Sequence, residues 1–233
     1  MDIAMTDRLS LPQLFRLLTW ASPAFPTGSF SYSHGLEFAV EEGLVKNAAT
    51  LQDWIGWIVR HGALYVDAVL LAHAYRAAEV GDNAKLDEVA SLAAAMRGTA
   101  ETALESLQQG ASFFDTAGAV WPSKRAAAFL KRNRAKPALP VAVALACAGA
   151  IPLPETLGAC LHAAMANLVS AGVRLIPLGQ TDGQRSIAAL EGAVTETVAR
   201  AQATALDDLA TAAPMVDWTS MRHETQYTRL FRS

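Results

Sequence analysis

Charge is scarce in this chain. Asp, Glu, Lys and Arg make up 18% of its 233 residues, and the formal net charge is −3. The basic excess that marks a nucleic-acid binder is missing, so no nucleic-acid partner is expected. Cysteine is almost missing as well. Cys147 and Cys160 both lie in apolar surroundings. Two thiols make no disulfide framework and read as buried structural groups, which suits a reducing compartment. The opening residues MDIAMTDRLS lack the basic start and apolar centre of a secretory leader. The longest apolar run, ALPVAVALACAGAIPLPE, is broken by Pro152, Pro154 and Glu155 and is too short for a bilayer. A cytoplasmic chain with no membrane partner is expected.

The motifs of common enzymes are missing too. There is no Gly-x4-Gly-Lys-Ser/Thr phosphate loop, no Gly-x-Gly-x-x-Gly after a strand and no Gly-x-Ser-x-Gly elbow. No two of His34, His61, His73, His162 and His223 stand at the i, i+4 spacing that puts two metal ligands on one helix face. Cys160 and His162, two apart, point to different faces. No catalytic residue, no resident metal and no stably bound cofactor is expected, and the chain does not read as an enzyme.

Alternating runs of Val, Ile and Tyr are also absent, while 52% of the residues are hydrophobic and alanine is abundant. That composition favours helices over sheets. Ser10 and Pro12 start a helix with an apolar stripe at Leu11, Leu14, Phe15, Leu17 and Leu18, and Ser22-Pro23 stops it. A helix is expected from about Tyr32 to Glu42, with Gly43 as its stop. LQDWIGWIVRHGALYVDAVLLAHAYRAAEVG reads as one long central helix, apolar around much of its circumference, in which Gly62 implies a closely packed neighbour. Residues 84–109 read as one helix, with Arg97 and Glu101 a turn apart and Gly110 as punctuation. Buried helices follow after Pro137 and in PETLGACLHAAMANLVSAGVRLI. The last helix opens at 179–185, with Thr181 and Gln184 at capping-box spacing. The cations of SKRAAAFLKRNRAK read as a solvated helix face.

The expected fold is therefore all-α, a single helical-bundle domain of about ten helices over residues 1–213, with an interaction tail at 214–233. The tail, PMVDWTSMRHETQYTRLFRS, is rich in the Trp, Met, Tyr, Phe and Arg that favour protein interfaces and adds little core. Two polar–aromatic stretches stand out besides it. SPAFPTGSFSYSHGLE is too aromatic for a surface loop and too polar for a core segment. RLIPLGQTDGQR reads either as a helix–loop–helix turn or as a loop offering Gln180, Asp182, Gln184 and Arg185 to a partner.

Three segments, LLTWASPAFPTGSFSYSHGLE, SAGVRLIPLGQTDGQR and HETQYTRLFRS, resemble in content and order the signature regions of the UreF family of urease accessory proteins. The resemblance covers essentially the whole chain. It implies an all-helical homodimer that is not an enzyme. It also implies an adaptor that binds UreD (UreH in some systems) and, through it, the GTPase UreG. The complex delivers nickel to apo-urease, and nickel and GTP are handled by the complex rather than by this chain. Modulation of GTP hydrolysis by UreG belongs to the same expectation. By this resemblance Phe25, Phe30, Tyr32 and His34 lie at the UreD-facing surface with Tyr227, Arg229, Leu230, Phe231 and Arg232. Gln180, Asp182, Gln184 and Arg185 go to the dimer or UreG-facing side. Many relatives carry an acid where this chain has Ala21-Ser22, and Glu37 is the nearest alternative for a nickel-path carboxylate. Two other readings of the residues stand beside this one. One is a generic helical adaptor for another metalloenzyme, and the other is a helical enzyme using Asp67 with His61 or His73 as acid and base.

Overall fold

The computed structural model describes residues 9–233. The first eight residues, most of the stretch read above for a leader, lie outside the described residues. The chain is all-α, with no strand among the described residues. The helices are α1 (Leu11–Trp20), α2 (Leu36–Glu41), α3 (Ala48–His61), α4 (Ala63–Val80), α5 (Asn83–Ala95) and α6 (Ala100–Val120). There follow α7 (Lys124–Arg132), α8 (Leu139–Cys147), α9 (Leu153–Leu175), α10 (Gln180–Ala189), α11 (Glu191–Ala203) and α12 (Pro214–His223).

Several expected boundaries hold. Ser10 caps α1, and its backbone N–H donates to Gln13 Oε1 at 2.7 Å, closing a capping box with Pro12 in the first turn. Gly43 follows α2 with φ of 71°, and Gly81 ends α4 with φ of 78°. Other boundaries differ for readable reasons. The expected helix at 32–42 begins only at Leu36, because His34 and Gly35 both take positive φ. The long central helix is two. Gly62 sits at φ −104° and ψ −153°, ending α3 and opening α4. The helix read over 84–109 breaks at Met96–Thr99, where Thr99 caps α6 by accepting from Thr102 N–H. Gly110 breaks nothing. It lies inside α6, where a Cβ would come within 2.3 Å of Pro137 O, so α8's entry is pressed directly on α6. No capping box forms at Thr181, since Gly179 is the N-cap of α10.

Helix α4 forms the axis. It packs on α3, α5, α8, α9 and α11, and its Val66, Val69, Leu70, Leu71, Ala72 and Ala74 are buried. A helix apolar on nearly every side belongs at such a centre. By length and composition two stretches, Ala48–Val80 and Leu153–Leu175, could cross a membrane, which the reading of the longest apolar run did not anticipate. In the apolar 18-residue window of each, 72% and 44% of the residues are buried among the other helices. The stripe of α1 does not all turn inward, for Leu17 is buried while Leu11, Phe15 and Leu18 are exposed.

The cations of 124–136 are all exposed, as a solvated face requires, and three of the six also have partners in the fold. Arg125 donates to Ala78 O and Ala148 O at 3.0 and 2.9 Å, closing the ends of α4 and α8. Arg132 pairs with Asp87 and Lys136 with Asp115. The tail also differs from the sequence reading. Its first half is helix α12, and Val216, His223, Phe231 and Ser233 are buried, so it contributes core as well as surface.

Candidate functional site

The aromatic early loop and the tail meet. Gly28 turns the chain at φ 78° into a single 3-10 turn at Ser29–Ser31. Phe25 is buried against Phe113, ring centroids 5.2 Å apart. Tyr32 is buried and donates its hydroxyl to Gln108 Oε1 at 2.6 Å. Asn167 of α9 donates to Ser29 O at 2.9 Å. The loop is therefore packed against its own chain on one side. Phe30 remains exposed, with the Arg174 guanidinium 4.3 Å above its ring.

At His34 the backbone takes φ 54°, the sole non-glycine residue with positive φ among the described residues. Such strain persists only where surroundings hold it. Gly35, at φ 73°, has no room for a side chain, because a Cβ would sit 2.5 Å from Ser220 N of α12. The pair turns the chain tightly beneath α12 and aims His34 Nε2 at Glu105 Oε1, 3.0 Å away. Burial works to lower the pKa of His34, but the charge and hydrogen bond of Glu105 outweigh it and the net direction is up. Glu105 also accepts from Gln109 at 2.8 Å and from Ser233 Oγ at 3.2 Å. Ser233 O in turn accepts from the N–H of Ser33 at 2.8 Å and from its hydroxyl.

A second buried acid fixes the rest of the tail. Glu37 Oε1 accepts from Leu230 N–H at 2.7 Å, and Oε2 accepts from Phe231 N–H at 2.9 Å. His223, with no solvent exposure, stands between two carboxylates: Nε2 is 3.1 Å from Glu37 and Nδ1 is 2.8 Å from Glu101. Arg229 reaches the other oxygen of Glu101 at 2.8 Å. Both oxygens of Glu37, the acid named above as the nearest alternative for a nickel-path carboxylate, accept hydrogen bonds from the tail. Arg174 stacks on Phe231 at 4.4 Å as well as on Phe30, joining loop and tail through one guanidinium. Arg232 N–H donates to Ser31 O at 2.7 Å while its side chain is exposed.

This layer buries His223, Phe231 and Ser233 and leaves 227–230 exposed. Tyr227 is fully exposed and Leu230 65% exposed, next to buried Phe231. Met215, Trp218 and Met221 of α12 add exposed apolar surface. Loop and tail residues singled out from the sequence therefore come together. Those at 180–185 do not join them. They form the first turns of α10, which packs on α9 and α3. There Asp182 pairs with Arg185 at 2.8 Å, and neither Gln180 nor Gln184 has a hydrogen bond to loop or tail among the described residues.

Behind His34 lies a cavity of about 380 Å³ between α1, α4, α6, α8 and α9. Its walls include Leu64, Leu71, Phe113 and Leu157, and its polar groups include Asp67, Glu105 and Gln109. Asp67 is ion-paired with Arg97, which also donates to Ser106 at 2.7 Å. Burial raises the Asp67 pKa, with Arg97 opposing. A pocket thus exists at Asp67, but the histidines of the acid–base reading are elsewhere. His73 Nε2 meets Thr204 O at 2.9 Å, and His61 stacks on Trp57. Cys147 and Cys160 both line the cavity. Burial pushes the Cys147 thiol up to about 12 and raises that of Cys160 further, so neither is a thiolate nucleophile.

Sequence reasoning missed Glu101, Glu105, Arg174, His223 and Ser233, and gave Glu37 another role. Glu101 meets His223 at a separation of 122 residues, Ser233 meets Glu105 at 128, and even His34 and Glu105 are 71 apart, so no local spacing announces these pairs.

Comparison with known proteins gives a consistent result. The UreF family profile matches residues 45–191. A protein of Granulibacter bethesdensis named urease accessory protein UreF is 51% identical over 233 residues, covering 100% of this chain and 99% of that protein. One of Rhodopseudomonas palustris with the same name is 54% identical over 221 residues, covering 94% of this chain and 92% of the relative. One of Bradyrhizobium diazoefficiens, also so named, is 48% identical over 221 residues.

Proposed function

The chain belongs to the UreF family of urease accessory proteins, and on that premise we propose that it serves urease maturation as a non-catalytic adaptor. In this reading it joins UreD (or UreH) to the GTPase UreG in the complex that loads nickel into apo-urease. Nickel and GTP belong to the complex, and the chain itself works as a cytoplasmic homodimer. The observation that carries the reading is the two-sided tail. Its inner side is fastened by Glu37, Glu101, Glu105 and His223. Its outer side offers Tyr227, Leu230, Trp218, Met215 and Met221. Aromatic and Met side chains held in place before binding make good interface anchors, because little ordering entropy remains to be lost. Phe30, pinned by Arg174, extends the same surface.

Co-expression with UreD and UreG of the same host, with a tag on this chain alone, tests the reading. Both partners should be recovered, with UreG lost when UreD is omitted. Recovery of neither partner from folded protein would overturn the adaptor role. Pure protein should hydrolyse no GTP above background.

A further inference from the structure

On another side of the molecule, the joint between α3 and α4 makes a small polar pocket. Gly62 ends α3 and turns Arg60, His61 and Tyr65 toward the same space. Helix α11 runs alongside, fastened by Thr197 Oγ1 donating to Val59 O at 3.2 Å, and brings in Arg200. The segment 208–212 closes the third side. Ala212 N–H and Thr211 Oγ1 donate to His61 O at 2.8 and 3.2 Å, and Trp57 Nε1 donates to Ala212 O at 2.7 Å. The pocket is open to solvent and has a volume of about 190 Å³, several times the ~30 Å³ share of a water molecule.

Its donors are underused. Arg200 lies over the Tyr65 ring at 4.0 Å and donates through Nη2 to Arg60 O, while its Nε is buried with no partner. Arg60 spends Nε on Glu196 at 2.9 Å and has no hydrogen bond from either Nη among the described residues. The ring nitrogens of His61, stacked 4.5 Å from Trp57, likewise have no hydrogen bond among the described residues. The Glu196 carboxyl is held below its usual range by the hydrogen bond from Arg60, with the charges of Arg200 and His61 adding in the same sense. Asp208, on the rim, is the opposing charge inside the pocket.

We propose that this pocket is a binding site for a tetrahedral oxyanion of the phosphate type, held between Arg60, Arg200 and His61. Arg60 and Arg200 both line this concavity, and guanidinium forks match phosphate geometry where a lone lysine would supply only a point charge. A bound oxyanion would tie α3 and α11 to the 208–212 segment, the strand of chain that leads into α12. The inference stands apart from the adaptor reading and does not depend on it.

The test is calorimetric titration of the full chain with inorganic phosphate at constant ionic strength, followed by the same titration with ATP. Saturable binding at one site per chain is expected. It should weaken at least about tenfold in Arg60→Gln and tighten in Asp208→Asn, a gain that loss of structure cannot produce. Arg200→Gln should also weaken it, and His61→Gln serves if that variant does not fold. Tighter binding of ATP than of phosphate would assign the site to a phosphoryl end, and equal or weaker binding would assign it to the free anion. No saturable binding up to about 10 mM phosphate overturns the proposal. So does binding that Arg60→Gln and Asp208→Asn leave unchanged.

Discussion

His34 carries the strain of the loop and touches the acid that also holds Ser233. Its raised pKa has a defined consequence. A histidine whose folded pKa lies above its ordinary value of 6.5 stabilises fully below that value, and the stabilisation is lost as pH rises through the higher folded value. Asn tolerates the left-handed backbone, so His34→Asn removes the titration without forcing φ. Thermal melts from about pH 6 to pH 9 should therefore show the parent losing more Tm than His34→Asn. Asp67, raised in the same direction, is present in both proteins, and its charge coupling to His34 is part of the difference being measured. Parallel curves would show that His34 is not protonated against Glu105. At this scale the sequence was half legible. The aromatic and glycine content of 22–35 marked the loop as unusual, because no ordinary loop or core explains it. The partnership of His223 with Glu37, 186 residues apart, was not legible, since helix spacing relates only neighbours along the chain.

The helices themselves were largely readable, because capping residues and apolar periodicity are local signals. Where they divide was less so. Gly62 reads in sequence as a packing glycine, yet its extended backbone breaks the helix beneath Ala213, whose Cβ would lie 3.2 Å from an added side chain. Gly110 reads as a stop and is a packing glycine. Both assignments depend on which distant segment lies across the glycine. The contact of α2 with α12 makes this testable at Gly35. Replacement by Ala would force a left-handed L residue, at about 1–2 kcal/mol, and push Cβ into Ser220 and Thr219. Hydrogen exchange should then show α12 and residues 224–233 losing protection while α4 and α9 keep theirs. Equal loss everywhere would mean that the tail is no separate cooperative unit.

As a whole the molecule is a helical body with α4 at its axis, on which a loop and a tail are fastened by buried acids. The all-α class and the family were legible from composition and three short segments. The two-sidedness of the tail was not, because exposed Leu230 and buried Phe231 are chemically alike and only the position of Glu37 and Arg174 separates them. That division supplies the most direct measurement of the adaptor reading, which is the affinity for UreD of the parent and of Tyr227→Ala/Leu230→Ala. Both residues are exposed and Leu230 keeps its backbone hydrogen bond, so helix content and Tm should be unchanged. The expected result is a loss of affinity of at least about 2 kcal/mol, roughly thirtyfold, with the fold intact. Parent-like affinity in the folded double variant would contradict the adaptor surface and move recognition away from the tail.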